Sequence, residues 1–262
     1  MVLSDFTASP QATVRSVERA AALLKAFCPE RRRQTLAELA RATGLDKGTA
    51  RRLLHTLRAC DLVDYDARVQ KYSLSVGILT LSNAVDKGRD LRELSAPILT
   101  DLSERTGATS FLFVPHGPRS LCIQRVRAAV PNFDAAWFEI GGTMPLNCGG
   151  ASRVILAFLP PDEQDRALAL PLPKRTPLSQ TNPDTLRQAA AEIRQRGYEM
   201  AIDDFYIGMC GIGVPVFSRS GRLLGAVSIS SLTSLIAPDG RPRFLAELNA
   251  AAIEIGRLAL PT

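Results

Sequence analysis

The chain has only two histidines, His55 and His116, and five cysteines so widely spread that no CxxC pair occurs. Histidine-rich metal sites and structural zinc are therefore not expected. The odd, scattered set of Cys28, Cys60, Cys122, Cys148 and Cys210 suits free thiols in a reducing compartment. No uninterrupted apolar run approaches the length of a membrane span. The opening MVLSDFTASPQATVRSVERA lacks a basic patch followed by an apolar stretch. Neither a membrane partner nor a secretory signal is expected, and the cytoplasm is the expected compartment. Absent too are GxSxG, a Walker loop and paired His/carboxylate zinc spacing, the signatures of several large enzyme classes. No internal repeat recurs at a fixed period.

What is present is an uneven distribution of charge. The 262 residues carry a net +6, yet residues 1–90 hold 15 Lys/Arg against 10 Asp/Glu, whereas residues 91–262 hold 17 against 16. A basic first third on a nearly neutral remainder points to a polyanion partner for the first third alone.

Residues 1–13 are polar and patternless, which predicts a disordered tail. From Val14 a 3.6-residue period sets in through Val17, Ala20, Ala21, Leu24 and Phe27. Thr35 and Glu38 have capping-box spacing, Leu36, Leu39 and Ala40 share one face, and Gly44 stands at a helix stop. Asp46 is the natural N-cap for a helix from Lys47 to about Cys60. Two short strands follow, Leu62–Tyr65 and Lys71–Leu74, around a turn at Asp66–Gln70. Three helices and a hairpin, over residues 14–75, are the order of a winged helix-turn-helix domain. Residues 76–106 read as helical with an interruption near Lys87–Asp90, so that 76–90 forms a linker helix. Residues 91–262 interleave helices and antiparallel strands, an α+β domain. Within it, PLPKRTPLSQTNP (171–183) reads as a long surface connection.

The third helix carries the chemistry. At 100° per residue Ala50, Leu53, Leu54 and Leu57 form one apolar stripe, while Gly48, Arg52 and His55 lie opposite with Arg51 beside them. Docking the stripe on the first two helices leaves the arginines outward. A helix of this bulk enters a DNA major groove, where arginine can pair in bidentate fashion with guanine. Lys47 and Thr49 suit the phosphate backbone, and side-chain-free Gly48 allows close approach. In such a domain the hairpin tip, Arg68, Gln70 and Lys71, lies along phosphates or the minor groove. A plain solvated basic face would show the same composition; the helix–turn–helix–hairpin order favours DNA. His55 reads as a surface residue, not a ligand.

These segments, VRSVERAAALLKAF and TLAELARATGLDKGTARRLLHTL with their hairpin, resemble the DNA-binding domain of IclR-type bacterial transcriptional regulators. The likeness continues through DLRELSAPILTDLSERTG, MPLNCGGASRVILAFLP, EIRQRGYEMAIDDFYIG and GVPVFSRSGRLLGAVSIS, over roughly residues 14–258. It implies a winged helix-turn-helix joined by a linker helix to a GAF-like effector-binding domain. It also implies homodimers or dimers of dimers on double-stranded palindromic operators, with a small organic acid modulating transcription and no cofactor. Matched position by position, DNA contacts would come from Lys47, Gly48, Thr49, Arg51 and Arg52, with Arg68 and Lys71 on the wing. The effector would be held by Gly150 and Ala151, by Met209 and Gly211, and by Ser228 and Ser230, a pair that shares one strand face. Helix-start amides and serine hydroxyls are donors without bulk, as an anion requires. Ala201 stands where many relatives carry an acid or a hydroxyl, so the usual polar contact is expected to be missing. Phe133, Trp137, Phe138, Phe205 and Tyr206 nearby suit an aromatic or hydrophobic acid and equally suit a core.

Two other functions use the same residues. In one, Cys148 or Cys210 is the nucleophile of an enzyme acting on a small acid, with His116 the only histidine available as base. In the other, Cys148 and Cys210 form a thiol redox sensor.

Overall fold

A computed structural model describes residues 13–28, 31–84, 86–128 and 138–259, with backbone alone at 83 and 86–90. The tail expected at 1–13 falls outside it except for Thr13, as do Phe133 and Trp137. The chain divides into two compact units, Met1–Val85 and Asp86–Thr262.

In the first unit α1 (Arg15–Lys25), α2 (Leu36–Thr43) and α3 (Lys47–Ala59) surround a core of Leu23, Leu39, Ala40, Ala50, Leu54, Leu57 and Val63. The hairpin β1 (Val63–Asp66) and β2 (Lys71–Leu74) follows, then α4 (Gly77–Asn83). Local chemistry sets each boundary. The Thr35 hydroxyl accepts the Glu38 amide while the Glu38 carboxylate accepts the Thr35 amide, and Gly44 ends α2 at φ 67°. Asp46 accepts the Thr49 amide at 2.8 Å and so starts α3. A backbone pair between Gln34 and Tyr72, at 2.9 and 2.7 Å, ties the hairpin to the segment before α2.

The helix that the period predicts forms as α1, with a narrower buried face than the period spans. Leu23 is fully buried, whereas Val17 is 64% exposed. Val17 lies in the first helical turn and meets no partner in its unit among the described residues, so the periodic face ends at Ala20. A second difference concerns the linker. α4 ends at Asn83, and α5 (Asp86–Thr106) runs straight through Lys87–Asp90. Gly88 costs a helix interior only about 1 kcal/mol, too little to interrupt 21 residues.

The junction of hairpin and α4 is tightly specified. The Ser75 hydroxyl donates to Asp61 at 2.7 Å and accepts the Gly77 amide at 3.2 Å. A Cβ on Gly77 would stand 2.1 Å from the Asp61 carbonyl oxygen.

The second unit is built on a six-stranded antiparallel sheet of order β5-β4-β3-β8-β7-β6. Its strands are β3 (Thr109–His116), β4 (Arg119–Val126), β5 (Thr143–Pro145), β6 (Glu199–Ile202), β7 (Met209–Phe217) and β8 (Leu223–Leu232). α6 (Gly150–Phe158), α7 (Pro161–Leu168), α8 (Pro183–Arg196), α9 (Thr233–Ile236) and α10 (Leu245–Leu258) complete the unit with α5. Strand alternation sends Phe111, Phe113 and Ala226 to the α6 side and Leu112, Val227 and Ile229 to the α5/α10 side, giving two cores. The segment 171–183 is more than a surface connection. Thr176 and Ser179 are buried and donate to the carbonyls of Asp203 and Asp204, both at 2.6 Å. Asn147 donates in turn to the carbonyls of Pro173 and Gln180. A Pro-rich stretch looks solvent-facing by composition, but its hydroxyls have found buried acceptors.

α6 lies on β7 backbone against backbone. A Cβ on Gly150 would stand 2.4 Å from the Gly211 carbonyl oxygen, and one on Gly213 2.6 Å from the Ala151 nitrogen. Gly213→Ala is expected to overpack this contact and lower stability by about 1–3 kcal/mol. Urea unfolding of the variant measures that loss; an unchanged midpoint would show the two elements free to separate.

Candidate DNA-binding surface and effector cavity

α3 is buried on one side only. Ala50, Leu54 and Leu57 are in the core and Leu53 is half-buried, while Lys47, Gly48, Arg51, Arg52 and His55 are exposed and Thr49 is half-buried. Among the described residues, neither Arg51 nor Arg52 has a carboxylate within ion-pair distance. The basic side is itself divided. Lys47, Arg51, His55 and Arg58 line an open groove with Thr35, Leu36 and Ala37 of the preceding helix region and Tyr65, Gln70 and Tyr72 of the hairpin. Gly48 and Arg52 lie beyond that groove, opposite the apolar stripe.

The hairpin tip is shaped by its own bonds. The Asp66 carboxylate accepts the Arg68 amide at 2.9 Å, and Gln70 turns the chain at φ 54°. Arg68 is exposed; Lys71 is half-buried, paired in register with Asp66. The Tyr65 and Tyr72 rings pack at a tilt of 43° with centroids 4.7 Å apart, and the Arg58 guanidinium lies 5.4 Å over Tyr65. The wing is thereby held to the end of α3.

In the second unit all six effector positions read from the sequence, Gly150, Ala151, Met209, Gly211, Ser228 and Ser230, line one cavity of about 70 Å³. Phe111, Phe113, Phe138, Met144, Phe205 and Tyr206 form its apolar wall. At the start of α6 the amides of Gly150, Ala151 and Ser152 have no hydrogen-bond partner among the described residues. Ser228 is 5% exposed, and its hydroxyl likewise has none. Ser230 donates to the Cys210 carbonyl at 3.2 Å. A pocket with free donors at a helix start is suited to an anion.

The contact expected to be missing at Ala201 is absent, but a different polar group stands in the same cavity. Ala201 does line the cavity, but so does Asp204, which the sequence reading passed over. Asp203 has φ 57° and its carboxylate accepts the Gly208 amide at 2.6 Å, a tight turn that delivers the next side chain inward. The Asp204 carboxylate accepts the Gly149 amide at 2.8 Å, one residue before α6. Burial pushes its carboxyl above the usual carboxylate range, against the opposing pull of the Gly149 amide and the Arg153 guanidinium. The Asp-Asp pair was visible in the sequence, but the left-handed turn that separates the two side chains was not.

The thiols are placed against reaction. Cys148 packs in the α6-side core and Cys210 in the opposite one. Burial pushes Cys148 to about 11 and Cys210 to about 12, with the Asp204 charge adding to both. His116 is exposed at the end of β3. Among the described residues no cluster of His, Cys, Asp and Glu could hold a metal ion, and no helix is long and apolar enough to cross a membrane.

A winged helix with a basic helix free of internal ion pairs, carried on one chain with a ligand-sized cavity in an α+β unit, defines a one-component transcriptional regulator. Sequence comparison agrees. Residues 16–67 match the IclR helix-turn-helix domain, and residues 83–257 match the bacterial transcriptional regulator IclR C-terminal domain. The chain belongs to the IclR family of DNA-binding transcriptional regulators. It is 26% identical over 245 residues to the HTH-type transcriptional regulator XynR of Escherichia coli K12, covering 93% of this chain and 96% of that one. The crystal structure of an IclR transcriptional regulator from Alicyclobacillus acidocaldarius superposes with a TM-score of 0.79 at 27% identity, covering 94% and 98% of the two chains. An IclR homologue from Microbacterium hydrocarbonoxydans shares the fold at 22% identity and a TM-score of 0.76, over 92% of this chain and 97% of that one.

The raised Asp204 carboxyl has a consequence for stability. Its neutral form contributes fully below about pH 4, where an unfolded aspartate is also protonated, and that contribution is lost as pH climbs through the elevated native value. Asp204→Asn has no such loss. Its Tm relative to the unmodified protein should therefore rise between about pH 4 and pH 7; a constant difference would mean that Asp204 titrates alike in both states.

Proposed function

We propose that the protein reads a specific operator through α3 and its wing and is switched by a small organic acid bound in the cavity of the second unit. The observation that carries the first half is the outward face of α3, where arginines stand free of internal partners. Arg52, opposite the apolar stripe, points deepest into a groove and reads bases. Arg51 shares the groove beside the wing. Lys47, Thr49, Arg68 and Lys71 hold phosphates, and Gly48 lets the backbone come close. The second half is supported by the free amides of Gly150 and Ala151 and by Ser228, buried without a partner. The Microbacterium hydrocarbonoxydans homologue is complexed with 4-hydroxybenzoate, a small acid, which favours the same ligand class here.

The regulator acts in the cytoplasm, as a homodimer or dimer of dimers on a palindromic site, without catalytic turnover and without a cofactor. Protonated, buried Cys148 and Cys210 favour regulation over thiol chemistry. Effector binding shifts operator affinity only by its unequal affinity for the two arrangements of the protein.

DNA from upstream of the protein's own gene, set against a scrambled fragment, tests the reading. Affinity for both should fall steeply as salt rises, because each phosphate contact releases counterions. Arg52→Ala should lose about 1–3 kcal/mol of preference for the upstream fragment, whereas Lys47→Ala should weaken both and lower the salt slope by about one. Equal loss on both fragments for Arg52→Ala would reassign that side chain to the phosphates. Indifference to salt would remove DNA from the picture.

A further inference from the structure

The cavity holds one charged group besides its free donors and its apolar wall. A carboxylate belonging to the protein already sits at the anion-attracting start of α6: Asp204 accepts the Gly149 amide at 2.8 Å and lines the same space as Gly150 and Ala151. Successive residues are about 3.8 Å apart along the backbone. A ligand carboxylate on the Gly150 and Ala151 amides therefore has the Asp204 oxygens as immediate neighbours. Two ionised carboxylates at that distance repel in a buried site, and an acceptor such as a keto oxygen fares no better. A hydroxyl on the carbon next to the ligand carboxylate offsets that repulsion, because it donates to Asp204 over the same short span.

Size narrows the ligand further. The cavity of about 70 Å³ is less than half the volume of about 150 Å³ that admits benzene in an engineered protein core. Phe111 and Phe113, at 3% and 4% exposure, belong to the core and are not free to make way for an aromatic ring.

We infer that the effector is a short 2-hydroxy acid, its carboxylate on the Gly150 and Ala151 amides with Ser228 and its hydroxyl donated to Asp204. This rests on the cavity being the effector site. It makes Asp204 the residue that sets specificity, and it excludes plain and 2-oxo acids of the same length.

Calorimetry of the full-length protein with matched probes tests it: acetate against glycolate, then propionate and pyruvate against lactate, with mandelate as the oversized control. Near neutral pH the hydroxy acid should bind at least about tenfold more tightly than its parent or oxo partner, since a site built to bond a hydroxyl rejects the analogue that lacks it. Lactate should bind more tightly than mandelate. Asp204→Asn keeps an acceptor for the Gly149 amide but turns an amino group to the ligand, so the preference should collapse to within about threefold. Equal binding of lactate, propionate and pyruvate by the unmodified protein would overturn the inference and leave the effector site standing, as would a preference that survives Asp204→Asn. Tighter binding of mandelate than of lactate would overturn the size limit. If none of the six acids binds, the inference and the effector reading of the cavity fall together, while DNA binding is untouched.

Discussion

The second unit depends on a contact that has no side chains in it. α6 begins where its backbone rests on β7, and glycines at 150 and 213 make that approach sterically possible. Had either carried a Cβ, the helix would stand off the sheet and its first amides would be too far from Ser228 and Ser230 to share a ligand with them. The first amides of any helix lack intrahelical acceptors, and the close approach sets three of them beside a strand face bearing hydroxyls. The positive end of the helix, the turn at Asp203 and the strap that holds it then converge on one small volume. Cavity shape and cavity charge are thus consequences of the same packing constraint.

The first unit follows a different logic, in which burial on one side dictates exposure on the other. α3 has one apolar stripe, and satisfying it uses up the faces of α1 and α2. The basic residues on the far side are thereby turned to solvent, and among the described residues no carboxylate lies within ion-pair distance of Arg51 or Arg52. The wing adds a wall to this surface, fastened to α3 by the Arg58–Tyr65 contact and to the α2 side by the Gln34–Tyr72 backbone pair.

Sequence was most informative where the signal was local. The capping box at Thr35, the N-cap at Asp46, the stop at Gly44, and the hairpin between Val63 and Leu74 all depend on residues within a few positions of one another. Resemblance to a known family supplied what locality could not, namely that positions 150, 211 and 228 meet. What stayed hidden were long-range outcomes. Nothing in the periodicity of α1 distinguishes Leu23 from Val17 until neighbouring helices are in place. The polar run at 171–183 could have faced water, and only the tertiary fold brings Thr176 and Ser179 to acceptors 25 or more residues away. The sequence does not distinguish Asp203 from Asp204, because it is the positive φ at Asp203 that determines which acid turns inward.

The small knot of Asp61, Ser75 and Gly77 shows how motion would pass through the first unit. With a carbonyl oxygen blocking any Cβ at Gly77 and the Ser75 hydroxyl bonded on both sides, the exit from the hairpin has almost no play. α4 is therefore fixed to the wing as a crank is fixed to its shaft. The Tyr65–Arg58 contact continues this firm joint to the end of α3, so that the wing has fixed attachments on both sides.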